Sequence, residues 1–312
     1  MSEVNRYVRP LSAQAACAAL HANPNAKLVA GGQSLLPTLR LGLALFDEII
    51  DLQGLAPDLN QIERHAEPQH ETLTMGAMAT HAQINTSATV QAFCPMLSQL
   101  AGGIGDQQVR NMGTLGGSIA NHDPAACWPA GLLACGGVVN ISTPTQTHQV
   151  DIDDFFTGLF STALAPDEMV LSVRFNKPLA ATYLKFEQPA SRFALVGVAV
   201  AQHAQHFRVA ITGLGHGALR WRDAEQALTD AFQSCSTARS STHSTARSTT
   251  LSTAPSAPHS GSLAAPLVEA LTPLHLDPEL ASTDLHASAE YRVHMAKVLC
   301  QRAVLQHLSG AM

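Results

Sequence analysis

The chain has 312 residues, a net charge of −6 and only 13% charged residues, about half the share of ~25% that is usual in soluble domains. It has no basic run and no apolar stretch of membrane-spanning length, which excludes a typical nucleic-acid-binding protein and a transmembrane protein. The N-terminal residues lack the basic start and apolar core of a signal peptide, and the six cysteines form no CxxC pair, so we expect a cytoplasmic protein with free thiols and no metal site of its own.

The first part of the chain is predicted to form a small βαβ-like unit. An alanine-rich helix is expected at 11–22, with Ser12 as its N-cap. Strands are expected at 27–32, where the run ends in two glycines, and at 45–52. At roughly 100–200 residues per domain, a chain of this length holds two or three domains. We place the first domain at residues 1–56.

The second predicted domain, residues 57–177, mixes helices and strands. Thr80 and Gln83 have the spacing of a capping box, which predicts a helix that runs from there to about residue 92. The other predicted elements of this domain are strands at 72–79, 115–120, 137–142 and 168–175 and helices at 95–102 and 124–135.

The third predicted domain, residues 178–312, opens with three apolar runs typical of an antiparallel meander. The Ser/Thr-rich segment at 234–262 has too little apolar sequence to offset the entropy of ordering, which predicts a disordered loop. A final helix is predicted from apolar residues spaced three or four apart, with Arg302 interrupting the stripe. The apolar residues of that stripe are Tyr291, Met295, Val298, Leu305 and Leu308.

Two glycine pairs have similar surroundings: the first glycine segment, residues 30–34 (AGGQS), and the second glycine segment, residues 114–118 (TLGGS). A single pair is more often a tight turn, but successive backbone N–H groups and nearby hydroxyls can also bind an anion. Two such segments could hold the two phosphates of a pyrophosphate. Neither matches GxGxxG and neither is followed by GK[ST], which disfavours a Rossmann domain and a P-loop.

Longer runs that include these pairs resemble a known family. The chain is similar to the FAD-binding medium subunit of molybdenum hydroxylases, and most of all to carbon-monoxide-dehydrogenase medium chains, in the runs AGGQSLLPTLRLGLALFDEIIDL, GAMATHAQI, IGDQQVRNMGTLGGSIANHDPAACWPA and YLKFEQPASRFALVGVAVA. The resemblance implies an α+β fold. Two subdomains would form an FAD-binding fold of the vanillyl-alcohol-oxidase (PCMH) type, followed by a small C-terminal domain of antiparallel sheet plus helices.

The resemblance also implies which residues contact FAD. Asp123 would be a polar partner of the cofactor, Lys185 would lie near the flavin ring, and Leu171 would pack on the isoalloxazine. Ile104 falls where related enzymes place an aromatic residue over the flavin. The residues that would hold the pyrophosphate are Ala30, Gly31, Gly32, Gln33, Ser34, Leu35, Thr114, Gly116, Gly117 and Ser118.

Cys127 departs from the family pattern. The family commonly has DPAAD after the second glycine segment, whereas this chain has DPAAC at 123–127. A protonated thiol is uncharged and forms weak hydrogen bonds. Loss of the carboxylate would raise the flavin potential or weaken FAD binding, unless water or Asp123 compensates.

The resemblance implies an electron-transfer subunit within a larger complex. A large partner subunit would hold molybdopterin and a small one two [2Fe–2S] clusters, in a dimer of heterotrimers, with electrons passing through FAD to an external acceptor. No catalytic side chain is predicted, because the cofactor carries the chemistry. Two other classes stay open: a non-catalytic flavin-binding assembly subunit, and a stand-alone FAD-dependent oxidase of the vanillyl-alcohol-oxidase type with flavin bonded to His122 or Cys127.

Overall fold

A small parallel sheet organises the N-terminal part of the protein. The computed structural model describes residues 4–66, 71–245 and 261–309. The sheet has the order β1-β3-β2 with all strands parallel. Its strands are β1 (Arg6–Val8), β2 (Ala26–Val29) and β3 (Glu48–Asp51), and its helices are α1 (Ala13–Ala22), α2 (Leu35–Arg40) and α3 (Ala56–Leu59).

The predicted start of the first helix is confirmed. The side chain of Ser12 accepts a hydrogen bond from the Ala15 N–H and caps α1. Both predicted strands are present as β2 and β3, but β1 was not predicted. Three residues are too few to show an alternating pattern, so β1 is specified by its pairing with β3 and not by its own sequence.

A five-stranded antiparallel sheet with the order β4-β5-β10-β6-β7 forms the middle of the molecule. Its strands, together with the separate hairpin β8–β9, are β4 (Ile62–Ala66), β5 (Glu71–Gly76), β6 (Gly137–Ser142), β7 (Thr147–Asp151), β8 (Phe156–Gly158), β9 (Ser161–Thr162) and β10 (Met169–Asn176). The helices of this part are α4 (His81–Thr86), α5 (Ala88–Phe93), α6 (Pro95–Gly102), α7 (Gln107–Met112), α8 (Leu115–Asn121), α9 (Cys127–Cys135) and α10 (Ile152–Phe155).

The capping box of α4 is confirmed, because the side chains of Thr80 and Gln83 each bond the backbone of the other. The helix expected up to residue 92 is divided at Ser87, which ends α4 and caps α5. The strand expected at 115–120 is wrong: this segment is the helix α8. Thr114 caps it, and its two buried apolar residues, Leu115 and Ile119, have helical spacing.

The C-terminal part contains a four-stranded antiparallel sheet with the order β11-β12-β13-β14, which confirms the predicted meander. Its strands are β11 (Ala180–Glu187), β12 (Ala194–His203), β13 (His206–Thr212) and β14 (Leu219–Arg220). Its helices are α11 (Arg222–Thr245), α12 (Gly261–Leu271) and α13 (Ala289–Ser309). Within the described residues, no helix is long and apolar enough to cross a membrane.

The buried face of α13 differs from the predicted one. Tyr291 and Leu305 of the predicted stripe are 42% and 45% exposed. Small residues such as Ala296 and Ala303 are fully buried instead, together with Cys300. Leu299 and Val304 are buried with them, so the packed face of α13 is rotated from the predicted stripe.

The Ser/Thr-rich segment begins as helix, which corrects the predicted loop over its first part. Helix α11 continues to Thr245 and α12 starts at Gly261, while residues 246–260 lie outside the described residues. The hydroxyl of Ser234 donates to the Asp230 carbonyl oxygen at 2.8 Å. Such back-bonding satisfies the polar side chains within the helix.

Helix α9 joins two cores. All nine of its residues are buried. On one side Trp128 belongs to the core of the middle sheet, and on the other Ala130 and Ala134 pack against Ala199 of the C-terminal sheet. The first residue of this helix, Cys127, therefore has a fixed position between the two sheets.

Candidate cofactor site

A cavity of about 710 Å³ lies where the three parts of the molecule meet, and this volume is typical of a ligand site. Its walls come from the β2–α2 connection, the start of α8, and the β11–β12 connection. The predicted site residues that line it are Ala30, Gly31, Gly32, Gln33, Ser34, Leu35, Ile104, Thr114, Gly116, Gly117, Ser118 and Asp123.

The two glycine segments are brought together by close backbone packing. A Cβ on Gly31 would overlap with the carbonyl oxygen of Met112 and lie 2.9 Å from the Cα of Gly113. A Cβ on Gly117 would lie 3.9 Å from that of Ala30, an ordinary contact distance. The segments, more than eighty residues apart in sequence, thus form adjacent walls of one cavity.

The first glycine segment leaves backbone donors unused. The N–H groups of Gln33, Ser34 and Leu35 have no acceptor in the described part of the chain, and no side chain caps α2. Gly32 makes this turn with φ of +69°, in the left-handed region that favours glycine. Three consecutive free N–H groups at a turn can bind an anion.

Residues 115–118 of the second glycine segment use their backbone N–H groups within the protein. The N–H groups of Leu115 and Gly116 donate to the carbonyl oxygens of Ala79 and Ala77 at 3.0 and 2.8 Å. The Gly117 N–H donates to the Thr114 hydroxyl oxygen at 3.1 Å. This segment therefore offers hydroxyl groups and open space to a ligand, and not the row of N–H groups that the sequence suggested.

Leu171 and Lys185 do not line the cavity. The strand β10 has an irregularity between Val170 and Ser172, which turns Leu171 away and leaves Val170 in the cavity wall. Lys185 lies at the edge, where its Nζ donates to the carbonyl oxygens of Gly103 and Arg192, both at 2.6 Å. Lys185 thus ties the β11–β12 connection to the end of α6.

Cys127 lines the cavity at the start of α9. Burial raises the pKa of its thiol, so the group is protonated near neutral pH. Its Sγ lies 4.0 Å from Nζ of Lys185. Among the described residues, the buried hydroxyl of Tyr183 makes no hydrogen bond of normal geometry, although it lies beside Cys127. Burial first, and then the neighbouring Cys127, raises the pKa of Tyr183 well above the ordinary value.

Sequence reasoning missed several lining residues. His81 was predicted only as part of a helix start, and Asn121 was not singled out. Arg192 and Phe193 reach the cavity from the C-terminal sheet, and only the three-dimensional fold brings them there. His122, a candidate for covalent flavin attachment, does not line the cavity: it is 1% exposed and its Nδ1 lies 2.9 Å from the carbonyl oxygen of Ser161.

A cavity lined by both glycine segments, with unused backbone donors and apolar side chains in its walls, is typical of a protein that binds a phosphate-containing cofactor. Residues 2–178 match the family described as the FAD binding domain in molybdopterin dehydrogenase. The chain belongs to the family of FAD-binding medium subunits of molybdenum hydroxylases, and it is a flavoprotein subunit of a molybdenum-containing dehydrogenase.

Individual relatives match over most of the chain. The nicotine 6-hydroxylase medium subunit of Paenarthrobacter nicotinovorans is 30% identical over 307 residues, 96% of each chain. The carbon monoxide dehydrogenase medium chain of Hydrogenophaga pseudoflava is 33% identical over 204 residues, 63% of this chain and 69% of that one. The solved structure of quinoline 2-oxidoreductase from Pseudomonas putida 86 superposes with a TM-score of 0.78 at 27% identity, covering 98% of both chains.

The residues present fit FAD. The three free N–H groups of residues 33–35 and the hydroxyls of Ser34 and Ser118 suit a pyrophosphate. The lining also contains Ile104, Leu164 and Val170, which suit the apolar face of a flavin ring.

Proposed function

We propose that this subunit passes electrons from [2Fe–2S] clusters of a partner subunit through FAD to an external acceptor. The observation that supports the proposal best is the meeting of both glycine segments in one cavity, with free backbone donors on one wall. Bound FAD supplies reversible one- and two-electron redox chemistry. The chain itself supplies binding, orientation and electrostatics, as expected of a cofactor-dependent protein.

In this proposal the side chains have distinct tasks. Both glycine segments, with Leu35 and Asp123, contact the dinucleotide, and Ile104 and Val170 enclose the flavin ring. Lys185 holds the β11–β12 connection against the cavity and adds positive charge beside it. Residues 1–56 and 57–177 act as the two subdomains of a PCMH-type FAD-binding fold, and residues 178–312 form the C-terminal domain.

The partners in the proposed complex are a molybdopterin-binding large subunit and a [2Fe–2S] small subunit, in a dimer of heterotrimers. Relatives carry names such as medium subunit and medium chain, which supports assembly with other chains. The six cysteines are free thiols, as is usual in a reducing compartment, and we propose a cytoplasmic location.

The test is purification of the native complex and removal of its flavin. We expect molybdenum, iron and non-covalent FAD to co-purify. Without FAD, substrate should still reduce the iron–sulfur clusters, while reduction of the external acceptor stops and returns when FAD is added back. A metal-free chain that oxidises a substrate alone, or acceptor reduction at full rate without FAD, would overturn the proposal.

A further inference from the structure

His81 is a buried side chain with one satisfied ring nitrogen. It is the first residue of α4, is only 4% exposed and lines the cavity. The indole Nε1–H of Trp128 donates to its Nδ1 at 3.2 Å. Trp128 is fully buried, so this partner is held in place by the core of the middle sheet.

The bond from Trp128 decides where His81 carries its proton. Because Nδ1 accepts, a neutral imidazole must have its proton on Nε2. Burial, with a smaller contribution from the positive charge of Arg110, lowers the pKa of His81 to about 4. The ring is therefore neutral at pH 7, and its Nε2–H has no acceptor within the described residues. This N–H is therefore available to an acceptor in the cavity that His81 lines.

The open Nε2–H lies where the glycine segments meet. A Cβ on Gly113 would be 2.9 Å from Nε2 of His81, so this edge of the ring lies against the backbone just before Thr114. The same Gly113 contacts Gly31 of the first glycine segment. The N–H groups of residues 115–118 are used within the protein, so among the described residues this segment offers a ligand fewer free backbone donors than the first one does.

We propose that His81 donates its Nε2–H to a pyrophosphate oxygen of FAD and adds a side-chain donor beside the second glycine segment. The inference rests on the function proposed above. Trp128 is then a positioning residue that fixes the tautomer. The imidazole stays a neutral donor, so it binds phosphate without adding a charge beside the flavin.

The first experiment measures rebinding of FAD, ADP and riboflavin to the deflavinated complex carrying His81→Phe or His81→Gln. We expect His81→Phe to lower the affinity for FAD and for ADP by about tenfold or more. The affinity for riboflavin, which has no pyrophosphate, should hardly change. His81→Gln keeps an N–H donor and should restore most of the affinity. Unchanged FAD affinity in a folded His81→Phe complex, or a loss confined to riboflavin, would overturn the inference.

The second experiment uses the wild-type chain, so it tests the inference even if the His81→Phe chain does not fold. Nitrogen-15 NMR of the histidine-labelled chain should show His81 as the neutral Nε2–H tautomer from pH 5 to pH 8. An Nδ1–H tautomer or a charged ring at pH 7 would contradict the proposed donor. If the wild-type complex does not rebind FAD at all, the proposed function fails, whereas normal wild-type binding with no effect of His81→Phe removes only this inference.

Discussion

Gly31 packs directly on Met112, so closely that any side chain at position 31 would overlap with the Met112 carbonyl oxygen. We expect Gly31→Ala to separate the two glycine segments, lower the free energy of unfolding by about 1–3 kcal/mol and weaken FAD binding. Thermal melts and FAD titrations measure both effects. Gly54→Ala is the matched control, because its Cβ would meet only the Pro10 carbonyl oxygen at 3.9 Å. Equal behaviour of the two variants would show that the packing at Gly31 is dispensable.

Cys127→Asp should place a carboxylate beside the Lys185 ammonium and the Tyr183 hydroxyl. Added negative charge near the flavin disfavours its reduced, more negative state. We therefore expect a lower midpoint potential, by about 30 mV or more for a two-electron couple, or tighter FAD binding. Spectroelectrochemistry and FAD titration measure these quantities.

Two further variants control for the charge at position 127. Cys127→Ser changes polarity without adding charge and should leave the potential near that of the wild type. Tyr183→Phe should lower the free energy of unfolding little in the wild type, where the hydroxyl makes no hydrogen bond of normal geometry to the described residues, and more in the Cys127→Asp background. A Cys127→Asp protein with unchanged potential and unchanged FAD affinity would contradict the prediction.

Lys185→Met should release the β11–β12 connection from α6. The ammonium donates to two backbone carbonyls, at Gly103 and Arg192, and we expect its loss to lower the free energy of unfolding by about 1–3 kcal/mol. Hydrogen exchange should accelerate at residues 188–193. Lys177→Met is the control, because Lys177 pairs with Glu71 at the surface and such pairs contribute about 0–1 kcal/mol. If hydrogen-exchange protection at 188–193 is the same in both variants, Lys185 does not hold the β11–β12 connection in place.

Asp51 should make the N-terminal sheet sensitive to acid. Burial alone would raise its pKa, but hydrogen bonds from Tyr7, the Gln53 N–H and Arg9 together lower the pKa below the ordinary value. Because the pKa of Asp51 is lowered in the folded state, its stabilising contribution is fully present above the unfolded-state pKa of about 3.9. This contribution is lost as the pH falls through the folded-state pKa.

Asp51→Asn tests this linkage. At pH 7 it should reduce the free energy of unfolding by about 1–3 kcal/mol, and the difference from wild type should shrink as the pH falls below about 4. Chemical unfolding measured between pH 2 and pH 7 gives both values, with Asp58→Asn, an exposed residue of α3, as the control. A difference that stays constant across this range would contradict the assigned pKa direction.

Local chemistry in the sequence was sufficient for several elements of the fold. Ser12 and the pair Thr80–Gln83 cap helices as their spacing predicted. The glycine pairs identified the walls of the cavity, since glycine is needed where backbones meet.

Other features depend on contacts that no short stretch contains. The segment after Thr114 has enough small residues for either a strand or a helix, and its packing against Ala77 and Ala79 settles it as α8. The bulge that replaces Leu171 by Val170 in the cavity wall arises from pairing with β6. His81 becomes a site residue only because Trp128, 47 positions later, occupies its other nitrogen.

Helix α9 has a consequence for engineering hybrids within this family. Its side chains pack in the core of the middle sheet and also against the C-terminal sheet, although the helix precedes the C-terminal sheet by more than forty residues. A chimera that joins this chain to a relative's C-terminal portion near residue 178 would pack α9 of one parent against the C-terminal sheet of the other parent. Such grafts should carry α9 along with the sheet it supports, and the segment that carries Cys127 would then be inherited from the same parent as the β11–β12 connection.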